Sequence, residues 1–196
     1  MPGHMIHLIV AKKVYPDAGI DFYAGNITPD ANAPYSNPER GKKDKIHFVG
    51  VPDVEAALKE FALKAGNDYL KGFLLHLYVD WKWNNTCLAD FVSKTEGSSQ
   101  VCYSAYDIEN RKMTSYAYYN TEWAFKLYEQ MENWDYTGFV DVEFVTNEVA
   151  QEWVLSAKKW LSENKLEQSA AFPPELIDKF ANETADDFIR WLSQIV

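Results

Sequence analysis

The sequence predicts an all-α protein folded as a single multi-helix domain. Apolar residues recur at the spacing of one helical face in several segments, and helix-starting and helix-ending residues flank those segments. The chain has 196 residues, of which 47% are hydrophobic, so it is long and apolar enough to bury one full core. Because neither an internal repeat nor a domain linker interrupts it, we expect residues 1–196 to form one domain.

The first half of the chain is expected to contain helices and one long loop. Pro16 stops the first helix, Pro52 suits the first position of a later helix, and Gly66 ends that helix. Asn67 then caps a long helix that is apolar nearly all round, which is typical of a helix at the centre of a fold. The expected helices cover 6–14, 18–27, 52–65 and 68–83, and a loop rich in proline and asparagine covers 28–45.

The second half is expected to be helical after an irregular start. Helices are expected over about 115–134 and 146–161, and in a last region that begins at Pro173. Residues 84–112 are expected to be poor in helix, because Glu96-Gly97-Ser98-Ser99 separates short β-prone pieces. The prediction is therefore a helical domain with a long central helix and a loop-rich segment, or a small hairpin, in the middle of the chain.

Charge and hydropathy exclude several classes of protein. The formal net charge of −10 produces a field that repels phosphate polyanions, so we expect no nucleic-acid partner. A small phosphorylated substrate remains compatible with this charge, because a bound divalent cation reverses the local sign. The chain contains no run of about 18 consecutive apolar residues, so we expect no membrane span.

The N-terminus and the cysteines bear on the compartment. Residues 1–5 contain neither a basic region nor a small-residue cleavage site, so we expect a cytoplasmic protein. Cys87 and Cys102 are not in a Cys-x-x-Cys arrangement. In a reducing cytosol they are most simply two free thiols, with a disulfide as the alternative.

A polar line on the central helix is the strongest functional feature. His76 and Asp80 are four residues apart and share one face of the helix, and Gly72 and Asn84 extend that line by a turn in each direction. Burying a carboxylate and an imidazole costs several kcal/mol unless they are paired or bound to metal. Gly72 is expected to leave space for a ligand beside His76. The alternative is a buried His–Asp pair that only ties helices together.

Other polar residues stand in settings that suit a site. His7 is the only polar residue of an apolar run, where a core histidine bonded to a backbone carbonyl is the alternative to a ligand. His47 follows a basic cluster, and Asp30 follows Pro29, where by itself it would be a turn residue. His4, near the terminus, is expected to be exposed.

Taken in order, segments of the first half resemble the zinc-dependent phospholipase C family and its bacterial cytosolic relatives. That family is related in fold to single-strand-specific zinc nucleases, so the resemblance also implies a helical fold. Each motif is weak alone, but their common order is a moderately specific pattern. The matching segments are Ile6-His7-Leu8, Ala24-Gly25-Asn26-Ile27-Thr28-Pro29-Asp30, Lys43-Asp44-Lys45-Ile46-His47-Phe48, and the stretch 72–83 with its Gly-x-x-x-His-x-x-x-Asp-x-x-Trp pattern.

The resemblance implies one or two bound divalent ions, most simply zinc. Asp30, His47, His76 and Asp80 would form one metal site, and His7 would share Asp80 with a second ion. Imidazoles and carboxylates suit zinc and other first-row divalent metals, and Asp30 would also orient or deprotonate the attacking water. The secreted members hold a third ion with downstream histidines and a glutamate.

No histidine follows His76 in this chain, so that third site is either missing or rebuilt from carboxylates such as Glu122.

Three functional hypotheses follow. The first is a metal-dependent hydrolase that acts on a small phosphoester through metal-activated water. The second is a non-catalytic relative in which the metal or the buried His/Asp cluster is structural. The third is an unrelated all-helical interaction protein. Neither the substrate nor the oligomeric state is specified by the sequence.

Overall fold

The computed structural model describes residues 1–31 and 40–195, and of residues 40–42 only the backbone. These residues form an all-α fold, in which the only β-type pairing is an isolated bridge between Val142 and Val145. The all-α prediction is therefore confirmed. The helices are α1 (His4–Val14), α2 (Ile20–Ile27), α3 (Arg40–Ile46), α4 (Val54–Ala62), α5 (Asp68–Trp83), α6 (Ala89–Lys94), α7 (Ser99–Asn120), α8 (Ala124–Glu132), α9 (Asn147–Glu163) and α10 (Pro174–Leu192).

The expectation of a loop-rich segment over 84–112 is wrong. A π-helical turn over Asn84–Leu88 joins α5 directly to α6, and α7 begins at Ser99, so the chain leaves helix only around Gly97. The weak β propensity of this stretch is overridden by packing. In α7, Tyr106 and Met113 are buried seven residues apart, which is the period of one helical face.

Smaller differences concern element boundaries. Helix α4 starts after Pro52, because Asp53 is its N-cap and accepts a hydrogen bond from the Ala56 backbone N–H. The single helix expected over 115–134 is divided between α7 and α8. The loop expected over 28–45 contains a 3-10 turn over Thr28–Asp30 and then α3, while residues 32–39 lie outside the described residues.

Helices α2 and α5 form the closest helix pair around the site. A Cβ added at Gly72 would lie 2.0 Å from the Phe22 carbonyl oxygen, and one at Gly25 would lie 2.0 Å from the Tyr69 carbonyl oxygen. Both glycines therefore let the two backbones touch, since any side chain would force them apart. The space beside His76 that was expected from Gly72 is filled by α2 and does not hold a ligand.

Helix α1 lies in the middle of the fold, in contact with α2, α5, α7 and α10. It carries His4 and His7 into the interior. The expectation that His4 is exposed is wrong: the residue is 9% exposed, and its ring packs edge-on against Tyr128, Trp153 and Trp160. Because α1 is covered on nearly all sides, a histidine anywhere along its first two turns is drawn into the core.

The structure also bears on the expectations about cysteines and membranes. Cys87 and Cys102 are free thiols. Among residues 1–31 and 40–195, no helix combines the length and the apolar character needed to cross a membrane.

Candidate metal centre

The structure brings together all the side chains proposed as ligands from the sequence. His7 comes from α1, Asp30 from the 3-10 turn, His47 from the turn after α3, and His76 with Asp80 from α5. His7 and His76 are fully buried, Asp80 is 4% exposed and Asp30 is 7% exposed. Charged and polar groups this deeply buried require strong partners.

Three ligand-type atoms lie at about the spacing that zinc imposes on its ligands, and a fourth, from Asp30, lies beside His47. The Oδ2 atom of Asp80 lies 3.3 Å from Nε2 of His47 and 3.3 Å from Nε2 of His76. The two Nε2 atoms are 3.1 Å apart, and Oδ1 of Asp30 lies 3.6 Å from Nε2 of His47. Tetrahedral zinc with bonds of about 2.0–2.1 Å holds its ligand atoms about 3.3–3.4 Å apart. The spacing of the Asp80, His47 and His76 atoms therefore fits one divalent ion, and Asp30 offers a further carboxylate oxygen next to His47.

A second group of ligands lies on the other side of Asp80. Nε2 of His7 lies 3.4 Å from Oδ1 of Asp80, and the His7 ring stacks on the His76 ring with centroids 3.8 Å apart. Apart from this contact with Asp80, which does not meet hydrogen-bond geometry, neither nitrogen of His7 has a hydrogen-bond partner among the described residues. The two carboxylate oxygens of Asp80 thus face different imidazoles, as a carboxylate that bridges two ions would.

Backbone carbonyls define the tautomers of two imidazoles. Nδ1 of His76 lies 2.8 Å from the Asn26 carbonyl oxygen, and Nδ1 of His47 lies 2.9 Å from the Lys43 carbonyl oxygen. A carbonyl only accepts, so each Nδ1 carries the proton and each neutral ring has its lone pair on Nε2. Both lone pairs face the Asp80 carboxylate, which only accepts when ionised. This arrangement requires a cation, either a proton or a metal ion.

Asn26 and Phe48 support this geometry. The Asn26 side-chain NH2 donates to the Gly72 carbonyl at 3.2 Å, and the Asn26 backbone carbonyl accepts from His76 Nδ1, so one residue ties α2 to two turns of α5. Phe48, next to His47, has a φ of 55°, which a bulky side chain adopts only where its surroundings enforce it. The sequence analysis missed Asn26 as a member of the site, although it is a polar residue in the otherwise apolar second half of α2.

The protonation states follow from burial and from the carboxylates. Burial lowers the pKa of His47 to about 4 and also lowers the pKa of His7. Burial also disfavours the charged form of His76, but Asp80 outweighs it and raises the pKa of His76. Burial would raise the pKa of Asp80, yet His76 and His7 hold it well below its usual range. His76 is therefore the imidazole that holds a proton when no metal does.

Lys43 is a further member of the site that the sequence analysis placed only in a basic cluster. Its ammonium forms an ion pair with Oδ1 of Asp30, and its side chain is 14% exposed. Burial would raise the pKa of Asp30, but Lys43, followed by His76 and His47, outweighs burial and holds it below its usual range. The i, i+4 spacing from Lys43 to His47 could have predicted this role, because it places both residues on one face at the end of α3.

A cavity of about 690 Å³ reaches this centre from the surface. Asp30 and Lys43 line it, together with residues that include His4, Tyr106, Asn110 and Trp153. A cavity of this size is typical of small-molecule sites. Another cavity, of about 660 Å³, is lined by residues such as Tyr15, Phe22 and Leu74 and includes none of the candidate ligands.

Among the described residues, no third group of candidate ligands includes Glu122. Glu122 is exposed and belongs to neither group of candidate ligands. Both groups found in the part of the chain that the structure describes contain His76, one with His7 and Asp80 and the other with Asp30 and His47.

Fold and site together define an all-α protein with a buried imidazole–carboxylate centre beside an open cavity. We find no match to this chain among family models, curated proteins or solved structures. Membership of the zinc-dependent phospholipase C family thus stays a prediction from the ordered motifs.

Proposed function

We propose that this protein is a metal-dependent hydrolase of a small phosphoester, with one or two divalent ions held by His7, Asp30, His47, His76 and Asp80. The observation that carries the proposal is the convergence of two Nε2 atoms, from His47 and His76, on the ionised Asp80, while the Nδ1 atom of each ring faces a backbone carbonyl. Nitrogen and carboxylate oxygen at this spacing favour zinc, with other first-row divalent metals as competitors. An ion bound there would acidify a coordinated water and polarise a phosphoryl oxygen.

The chain's own contribution to such a reaction centres on Asp30. Asp30 is a candidate ligand that also lines the cavity, and its carboxylate is ionised, so it can accept a hydrogen bond from water that enters by the cavity. Its lowered pKa makes it a weak general base, because proton transfer is most efficient from groups whose pKa lies near the working pH. We therefore assign Asp30 the task of orienting the attacking water.

A non-catalytic role is the second candidate, and one observation favours it. The secreted members of the family that this chain resembles hold a third ion, but here no histidine follows His76, and Glu122 is exposed. A centre with fewer ions stabilises less charge in a phosphoryl-transfer transition state. In this case the metal, or the His/Asp cluster alone, would stabilise the packing of α1, α2 and α5.

The test pairs metal analysis with turnover on the same preparation. Protein purified without chelator is analysed by inductively coupled plasma mass spectrometry, and hydrolysis of p-nitrophenyl phosphate and bis(p-nitrophenyl) phosphate is measured before and after chelation. Near-stoichiometric metal together with chelator-sensitive turnover supports the hydrolase. Metal without turnover on a broad phosphoester panel supports a structural metal. A preparation that neither retains nor takes up metal contradicts the hydrolase and leaves the His/Asp cluster alone in the structural role.

A further inference from the structure

Lys43 occupies an unusual position between the candidate metal centre and the cavity. Its ammonium contacts Oδ1 of Asp30, while its backbone carbonyl accepts the Nδ1–H of His47 at 2.9 Å. The same residue therefore orients one candidate ligand and neutralises another. Its side chain is 14% exposed, so the ammonium keeps a path to the solvent of the cavity.

The Lys43 ammonium and a metal ion at the candidate centre would both bind the same oxygen, Oδ1 of Asp30. Oδ1 of Asp30, the atom that Lys43 contacts, also lies 3.6 Å from Nε2 of His47, and Asp30 forms one group of candidate ligands with His47 and His76. A divalent ion bound at that oxygen would stand within a few ångströms of the ammonium, and their repulsion is large in a setting this poorly solvated. Lys43 and a metal ion therefore compete for Asp30.

The cavity is where a displaced ammonium would go. Among the described residues that line it, Lys43 is the one lysine or arginine, and the carboxylates there are Asp30 and Asp107. Asp107 lies 4.0 Å from Arg111, which supplies its own partner. Once a metal ion holds Asp30, an ammonium in this wall has no anionic partner among them and would bind an anion that enters the cavity.

We propose that Lys43 binds the phosphoryl group of the ligand. Without metal its ammonium is paired with Asp30, and it becomes available to the ligand when a metal ion coordinates that carboxylate. The proposal rests on the metal site of the proposed function. A lysine ammonium is a point charge that donates hydrogen bonds to phosphate oxygens. Its attraction grows with the charge of the ligand, so the site favours a dianionic phosphomonoester, or free phosphate, over a monoanionic diester.

The experiment compares Lys43→Met with two matched variants. Lys43→Arg keeps the charge, and Lys45→Met removes the same charge from an exposed position of the same helix. Zinc affinity is measured by competition with a chromogenic chelator, and binding of inorganic phosphate to the zinc-loaded protein is measured by calorimetry. Thermal melts verify folding, and Lys43→Gln serves in place of Lys43→Met if the latter does not fold.

The two affinities are expected to move in opposite directions. Lys43→Met should bind zinc more tightly, because its competitor is gone, and should bind phosphate roughly ten- to hundredfold more weakly, because a charged hydrogen bond is lost. Lys43→Arg should retain most phosphate affinity, and Lys45→Met should change either affinity by no more than about twofold. Unchanged or weaker zinc binding, or unchanged phosphate binding, in Lys43→Met would overturn the proposal.

Turnover measurements on the two nitrophenyl esters distinguish a failure of the Lys43 role from a failure of the hydrolase proposal. If the wild type hydrolyses esters but Lys43→Met leaves the ratio of kcat/KM for p-nitrophenyl phosphate over bis(p-nitrophenyl) phosphate unchanged, the role of Lys43 is contradicted alone. If phosphate binds in a zinc- and Lys43-dependent way but neither ester is hydrolysed, the hydrolase fails and Lys43 stands as a binding residue for free phosphate. A protein that binds no zinc contradicts both.

Discussion

Nε2 of His47 and Nε2 of His76 lie 3.1 Å apart, and each ring has already committed its Nδ1 proton to a backbone carbonyl. Two neutral rings would therefore present lone pairs to each other and to the ionised Asp80. A proton on His76 relieves this only partly, because burial keeps His47 neutral by lowering its pKa to about 4. A divalent ion would satisfy every one of these atoms at once, and this relationship underlies the first two predictions.

Removing His76 should cost both metal and stability. His76→Ala leaves Asp80 buried without the imidazole that does most to keep its carboxylate ionised. The loss of one partner of a buried pair costs about 3–5 kcal/mol. We expect loss of bound zinc together with a lower urea midpoint. His4→Ala is the matched control, since it truncates another buried histidine that belongs to neither ligand group, and it should retain metal. Unchanged metal content and stability in His76→Ala would contradict the role of His76.

Asp30 and His47 should separate turnover from metal binding. Asp30→Asn should abolish hydrolysis and keep most of the metal, because an amide oxygen still coordinates weakly but lacks the negative charge with which the carboxylate orients the attacking water. His47→Ala should lose metal and activity together, since it removes a nitrogen in contact with both Asp80 and His76. The measurement is zinc stoichiometry and phosphoester turnover on each variant. Full activity in Asp30→Asn would exclude Asp30 from the reaction.

Gly72 should be intolerant of even one methyl group. In Gly72→Ala the new Cβ would lie 2.0 Å from the Phe22 carbonyl oxygen, so α2 and α5 must separate, at a cost of about 1–3 kcal/mol or more. The separation also stretches the Asn26–His76 hydrogen bond, so zinc affinity should fall as well. Gly19→Ala is the control, because no atom of the described residues lies within 4 Å of its added Cβ. Equal urea midpoints for both variants would show that the close helix contact is unimportant.

His4 should make stability depend on pH. Burial lowers its pKa from 6.5 to about 4, so between these values the unfolded chain binds a proton that the folded protein does not. Above about pH 6.5 His4 is neutral in both the folded and the unfolded chain, so it does not lower the free energy of unfolding. That free energy decreases as the pH falls from 6.5 towards 4. His4→Phe removes this contribution, and on the order of 2–3 kcal/mol of the wild type's loss between pH 7 and 4 should disappear.

The quantity compared for His4 is the slope of unfolding free energy against pH. The packing change in His4→Phe shifts the free energy at every pH and leaves this slope unaffected. His7 and His47 also have lowered pKa values, but they are present in both proteins, and their effect cancels in the difference. Unfolding free energies from urea titrations at several pH values provide the two slopes, with chelator present throughout. Parallel slopes would contradict a neutral, buried His4.

Periodicity and capping residues were sufficient to locate most helices. Pro16, Asn67 and Pro173 stand beside helix ends that the structure also shows, because caps and breakers act within one turn of chain. The stretch 84–112 was misjudged for the opposite reason. Its helices depend on a buried face that includes Tyr106 and Met113, and a buried face is defined by partners remote in sequence.

The sequence by itself determined which side chains are available for a centre: histidines and aspartates with apolar neighbours, two of them one turn apart on the central helix. Only the tertiary structure decided their use. It turned Gly72 towards Phe22, placed the Asn26 carbonyl on His76, buried His4 and set Lys43 against Asp30. The physical reason is that local sequence determines spacing along one helix, whereas burial, tautomer and ion pairing depend on which atoms of other helices arrive within about 3 Å.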